Sequence, residues 1–155
     1  MKKEKLDYFC NCIEDGFLKI AFKTTGLELM RCDSMEPVGD KYYLMVIGVV
    51  GINTGQIMVE MNEGLVNRII ESMNGGLAEN DEEMFFSLAE FINMVGGNGI
   101  NSINNAFSFF DLRLTPPIIF AGKNLENTIM KTKSVSRFYK AEYEQAKIEI
   151  GFEGV

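Results

Sequence analysis

Ser87-Leu88-Ala89-Glu90-Phe91-Ile92-Asn93-Met94-Val95-Gly96-Gly97-Asn98 reads as a helix that runs into two glycines. At about 100° per residue, Phe85, Leu88, Ala89, Ile92, Val95 and Gly96 fall on one side and form a core-facing stripe. Phe86, Glu90, Asn93 and Gly97 make a second, narrower row turned away from it. A carboxylate and a carboxamide three residues apart therefore project outward together, beside a glycine that permits close backbone approach. The stripe needs a surface to cover, and the row beside it is left to meet something else.

The flanking sequence supplies that surface. Glu4 to about Lys23 has helical spacing of Leu6, Phe9, Ile13, Phe17, Ile20 and Ala21, and Gly26 stops it. Leu27–Met35 is expected as a first strand, closed by Pro37-Val38-Gly39-Asp40. Tyr42–Val50 and Gln56–Met61 are apolar, β-branched or aromatic runs joined by a short glycine-bearing loop, hence a hairpin. Asn62 is placed to cap a helix from Glu63 to Met73, ended by Gly75-Gly76. Asn80 or Asp81 opens the long helix, which reaches about Phe107 and has its glycine pair as a candidate kink.

Leu112–Ala121 follows, interrupted by Pro116-Pro117. Two strongly alternating runs, Ser134–Tyr143 and Ile148–Glu153, suggest a hairpin turning through Gln145-Ala146-Lys147. The fold class is therefore α+β, or mixed α/β in two layers: a largely antiparallel sheet packed against helices. With 155 residues and no repeat or long linker, residues 1–155 are expected to form a single domain.

Composition narrows the chemistry. The net charge of −7 argues against a nucleic-acid or anionic-membrane surface. No apolar run approaches a membrane span and no secretory h-region follows Met1-Lys2-Lys3-Glu4, so a cytoplasmic location is expected. Cys10, Cys12 and Cys32 are an odd set that does not resemble a disulfide framework, and the first two read as small buried hydrophobes. Histidine is absent, which removes histidine-based nucleophile pairs, histidine general bases and most zinc sites. No phosphate-loop or dinucleotide-binding glycine motif occurs. Any catalysis must come from carboxylates, amides or a partner.

The Glu-x-x-Asn spacing is weak alone. With 16 Glu and 13 Asn it arises by chance, and Glu71-Ser72-Met73-Asn74 repeats it at a helix end, where Asn serves as a terminator.

The run Glu90–Asn98, followed by Pro116-Pro117-Ile118-Ile119-Phe120-Ala121-Gly122, resembles the CheX family of chemotaxis phosphatases. So do the Gly48–Met61 hairpin, the short helix ending near Gly75 and the closing Ser136-Arg137-Phe138-Tyr139 strand. The resemblance implies a phosphatase acting on the aspartyl phosphate of a CheY-like receiver domain. Glu90 would pair with the receiver's lysine, and Asn93 would orient the attacking water. Gly97 would let the backbones approach. No cofactor or metal is implied on this chain; the Mg2+ would belong to the phosphorylated receiver. A homodimer joined through sheet edges is also implied, with Tyr42, Tyr43 and the Ser134–Tyr143 run as candidate edges. The family's pattern has Asp or Ser four residues before the glutamate, where this chain has Phe86. The departure either removes a hydroxyl or carboxylate that supports the site, makes Phe86 a docking aromatic, or leaves it covered by the chain's own loops, and a non-catalytic interaction module remains the alternative function.

Overall fold

The computed structural model describes residues 3–36, 39, 41–107, 110–123 and 133–153. Three helices, α1 (Lys3–Thr25), α2 (Glu63–Asn74) and α3 (Asp81–Ala106), lie on one face of a seven-stranded antiparallel sheet. The strands are β1 (Met30–Cys32), β2 (Tyr42–Val50), β3 (Gly55–Asn62), β4 (Arg113–Leu114), β5 (Ile118–Gly122), β6 (Ser134–Ala141) and β7 (Glu144–Phe152). Their order is β1-β6-β7-β3-β2, and β2 then pairs with both β4, at Val49–Val50, and β5, at Tyr42–Val46. The expected α+β class with a largely antiparallel sheet is what the chain adopts.

Alternation explains the layer. Tyr43, Met45, Ile47 and Val49 of β2, Ile57, Val59 and Met61 of β3, and Ile148, Ile150 and Phe152 of β7 are buried beneath the helices. Because paired residues share a face, one register places all of them on the helical side. Leu44 and Met58 are buried on the opposite face, packed with Val46.

Helices α1 and α3 run antiparallel, and glycines let them approach closely. A Cβ on Gly16 would lie 3.1 Å from the Val95 carbonyl oxygen, and one on Gly99 would lie 3.1 Å from the Ile13 Cα. Phe17 meets Phe91 edge to face at 6.3 Å, and Phe9 and Tyr8 meet Phe107. This second contact widens the buried arc of α3, so Phe91 and Ser87 join the expected stripe while Phe85 lies at its exposed margin.

Several expectations change. The first strand shrinks to Met30–Cys32. The last hairpin turns at Glu142-Tyr143, not at Gln145-Ala146-Lys147, with Ala141 opposite Glu144 and Glu142 at φ +55°. Asn62 occupies the α2 N-cap position, but its side chain does not cap. It donates to Glu144 Oε2 at 3.2 Å and accepts from the Gln145 N–H at 2.9 Å, tying the hairpin to the helix start. Tyr42 and Tyr43 are not edge residues, because β2 is paired on both sides. Helix α3 continues through Gly96-Gly97 without interruption. The turn expected at positions 37–40 lies, Gly39 apart, outside the described residues.

Candidate functional site: the outward row of helix α3

Helix α3 starts where its cap chemistry dictates. The Asn80 side chain accepts from the Glu83 N–H at 2.8 Å, and Asp81, Glu82 and Glu83 occupy the first turn, where carboxylates favour the helix dipole. Its sheet-facing side is fixed by Leu88, Ile92, Val95, Gly96, Ile100 and Ile103. A Cβ at Gly96 would come within 3.0 Å of the Leu114 side chain, so this glycine faces a packed neighbour on β4.

The second row then has one place to go. Phe86, Glu90 and Asn93 are exposed, Phe86 by 68% of its surface. Gly97 is half-buried, and nothing lies within 4 Å of the point where a Cβ would stand. Met94 lies alongside at 42% exposure. The structure thus brings Phe86, Glu90, Asn93 and Gly97 onto one solvent-facing strip and rules out burial of Phe86 in the chain's own core. Side-chain hydrogen bonds along α3 involve Asn80, Glu83, Ser87, Ser102 and Asn104, leaving Glu90 and Asn93 outside that network among the described residues. Glu82, four residues before Phe86, is exposed on the same strip, and the sequence pattern did not single it out.

The second Glu-x-x-Asn is a different object. Gly75 adopts φ +73° and ends α2, while Asn74 donates to the Ser87 hydroxyl at 2.9 Å. Asn74 therefore clamps two helices, and Glu71 faces solvent.

The ionisable groups with perturbed acidity lie elsewhere, between α1 and the sheet. Glu14, 8% exposed, accepts from Arg31 Nε at 3.1 Å and from the Tyr139 hydroxyl, with Arg137 Nη1 at 3.3 Å. Burial alone would raise its carboxyl, but hydrogen bonds from Arg31 and Tyr139 and the Arg137 charge hold it below the ordinary range. Burial pushes the neighbouring Cys10 thiol up to about 11, and burial with the Glu14 bond raises Tyr139. Glu14, Tyr139 and Arg137 are largely enclosed and the exposed Arg31 closes the cluster from the solvent side, a structural knot. Cys10 and Cys12 are buried free thiols, as their helix positions suggested. Among the described residues, no three His, Cys, Asp or Glu side chains converge as metal ligands, and no helix is long and apolar enough to cross a membrane.

The profile of the family described as chemotaxis phosphatase CheX matches residues 43–139, from β2 through the outward row of α3 to β6. The chain belongs to the CheX family. Solved structures agree. A chemotaxis protein CheX from Vibrio vulnificus is 26% identical, covering 94% of this chain and 96% of that one, with a TM-score of 0.77. A CheC-like superfamily protein from Shewanella sp. PV-4 is 28% identical over 99% and 100% of the two chains, with a TM-score of 0.75. The fold is also shared with CheX in the CheX–CheY–BeF3–Mg2+ complex from Borrelia burgdorferi, at 14% identity, 93% and 97% coverage and a TM-score of 0.68. No curated protein sequence matches significantly. The α3 row is thus carried on a CheX-family scaffold.

Proposed function

We propose that this chain hydrolyses the aspartyl phosphate of a CheY-like receiver domain, using Glu90 and Asn93. The observation that carries this reading is the exposure of both side chains, three residues apart on one helix face, in a family described as chemotaxis phosphatase. The B. burgdorferi relative, whose fold this chain shares, is found in complex with CheY, BeF3 and Mg2+.

The chemistry suits the side chains present. Water attacks phosphorus, the bond from phosphorus to the aspartyl oxygen breaks, and aspartate and inorganic phosphate leave. The Asn93 amide holds the water in line, and Glu90 pairs with the receiver's lysine so that the amide is inserted in register. This is catalysis by positioning. The receiver's Mg2+ supplies charge neutralisation at the phosphoryl group. Gly97 leaves room for the partner backbone.

The test is the lifetime of a phosphorylated receiver with and without this protein. Faster loss of phosphate that disappears with Asn93→Ala supports the reading; an unchanged lifetime for every receiver of the source organism overturns it. The alternative, a non-catalytic CheX-like binding module, is favoured by Phe86, which stands where the family has Asp or Ser, and it predicts binding without hydrolysis.

We also infer a homodimer. Among the described residues, β6 is covered by β1 at Phe138–Lys140 and β5 pairs with β2 along one side, which leaves strand edges to be satisfied. Light scattering at micromolar concentration should give about twice 17.4 kDa, and a monomer mass would contradict it.

A further inference from the structure

The charge of this protein is not spread evenly. Residues 69–112 contain seven acidic side chains, Glu71, Glu79, Asp81, Glu82, Glu83, Glu90 and Asp111, and no Lys or Arg. The remaining fifteen acidic residues are matched by fifteen basic ones, so the whole net charge of −7 resides in this segment. Helix α3 is its centre.

On the outward strip of α3 an aromatic ring stands between two of those carboxylates. Glu82, Phe86 and Glu90 follow at intervals of four residues, one above the other on the helix surface, and all three are exposed. Phe86 is 68% exposed on an ordered, capped helix, and Met94 continues the apolar surface one turn beyond Glu90. An exposed aromatic costs hydration free energy, whereas partner-facing positions favour aromatics and Met.

We propose that Phe86 is the anchor that selects the receiver, and this rests on the receiver-phosphatase reading above. The strip is continuous with Glu90 and Asn93, so whatever engages the pair also covers Phe86. The partner surface it fits is an apolar recess flanked by two basic side chains. Those side chains lie about 12 Å apart, the rise over the eight residues from Glu82 to Glu90. One of the two is the lysine that Glu90 meets; the second, facing Glu82, and the recess between them distinguish receivers this protein accepts from those it rejects. The acidic segment draws such a surface in, and the ring fixes it.

The test titrates each CheY-like receiver of the source organism, activated with beryllofluoride and Mg2+, against the full-length protein and its variants, with thermal melts and phosphate-release kinetics in parallel. Phe86→Ala should weaken the preferred receiver about tenfold or more, with unchanged melting and the loss in KM, not kcat. Phe86→Leu should recover part of the affinity, and Glu82→Gln should slow association at low salt. Unchanged affinity for Phe86→Ala overturns the proposal, as does higher affinity or turnover for Phe86→Asp, which installs the family's residue type. Binding that depends on Phe86 without hydrolysis leaves the anchor standing and removes the phosphatase reading. Hydrolysis that ignores Phe86 does the reverse, and failure of every receiver to bind overturns both.

Discussion

The side-chain amide of Asn74, at the end of α2, donates to the hydroxyl of Ser87 on α3 across 2.9 Å. Ser87 in turn donates to the Glu83 carbonyl oxygen one turn earlier, at 3.0 Å. The bond pins the short helix to the long one and separates two sequence motifs that look alike on paper.

The two asparagines should therefore fail in opposite ways. Asn74→Ala removes a part-buried bond and should cost about 1 kcal/mol of stability, with receiver dephosphorylation per folded molecule unchanged. Asn93→Ala should stay within about 0.5 kcal/mol of wild type yet lose most turnover. Denaturant titrations and phosphate-release assays on both variants check this. Loss of turnover in the first, or full activity in the second, would move the site.

If Glu90 pairs with the receiver's lysine as proposed, Glu90→Ala should weaken receiver binding more than it slows the bound complex, because that intermolecular ion pair is lost. The deficit should shrink as salt is raised, because screening weakens the same pair in the wild type. Affinity measured across a salt series checks both statements.

Gly97→Ala should separate stability from activity. Nothing lies within 4 Å of the position a Cβ would take, and the residue sits inside a helix. Alanine should therefore stabilise the protein by about 0.5–1 kcal/mol. If the receiver backbone packs there, the same methyl should lower its affinity. A higher melting temperature with weaker binding is the expected pair of results.

Acid should loosen the α1 anchor. The Glu14 carboxyl is held below its ordinary value in the folded state. Its stabilisation is complete above the unfolded-state carboxylate pKa and is lost as pH falls through the lower folded value. Glu14→Gln should be less stable at pH 7 and show a flatter fall in stability below about pH 4.5. Urea midpoints at several pH values measure both slopes.

Thiol reagents should distinguish the cysteines. Cys10 is buried with its thiol raised to about 11, and Cys12 is also buried, whereas Cys32 is partly exposed. At pH 8 the folded protein should label fastest at Cys32, and labelling of Cys10 should require unfolding.

Much of this molecule was legible in its sequence. The Asn80 cap, the Gly26 and Gly75 terminators, the β2–β3 hairpin and the outward Phe86–Gly97 row follow from local chemistry and helical period. What escaped reading depended on neighbours. Phe91 is buried because α1 covers a flank of α3, which no period in α3 announces. The Glu142-Tyr143 turn carries none of the glycine or asparagine that usually marks positive φ, so alternation alone misplaced it. Asn62 stands where a cap belongs, yet its amide is taken by Glu144 and Gln145, which lie more than eighty positions later. Glu14 falls between Cys10 and Phe17 on the apolar side of α1, and that misfit was the available sign of a buried carboxylate.

The Glu14–Tyr139 bond joins residues 125 positions apart. Of the elements of this fold, helix α1 leaves the ribosome first, but its polar partner β6 comes after every strand except β7. Until that strand arrives, Glu14 has Arg31 of β1 as its partner, and the contacts from Tyr139 and Arg137 that complete its burial are missing. Such a long closure slows folding, because loop entropy is spent before the contact returns anything. A nascent chain lacking β6 would hold α1, the helix that covers one flank of α3, by an incomplete set of polar contacts.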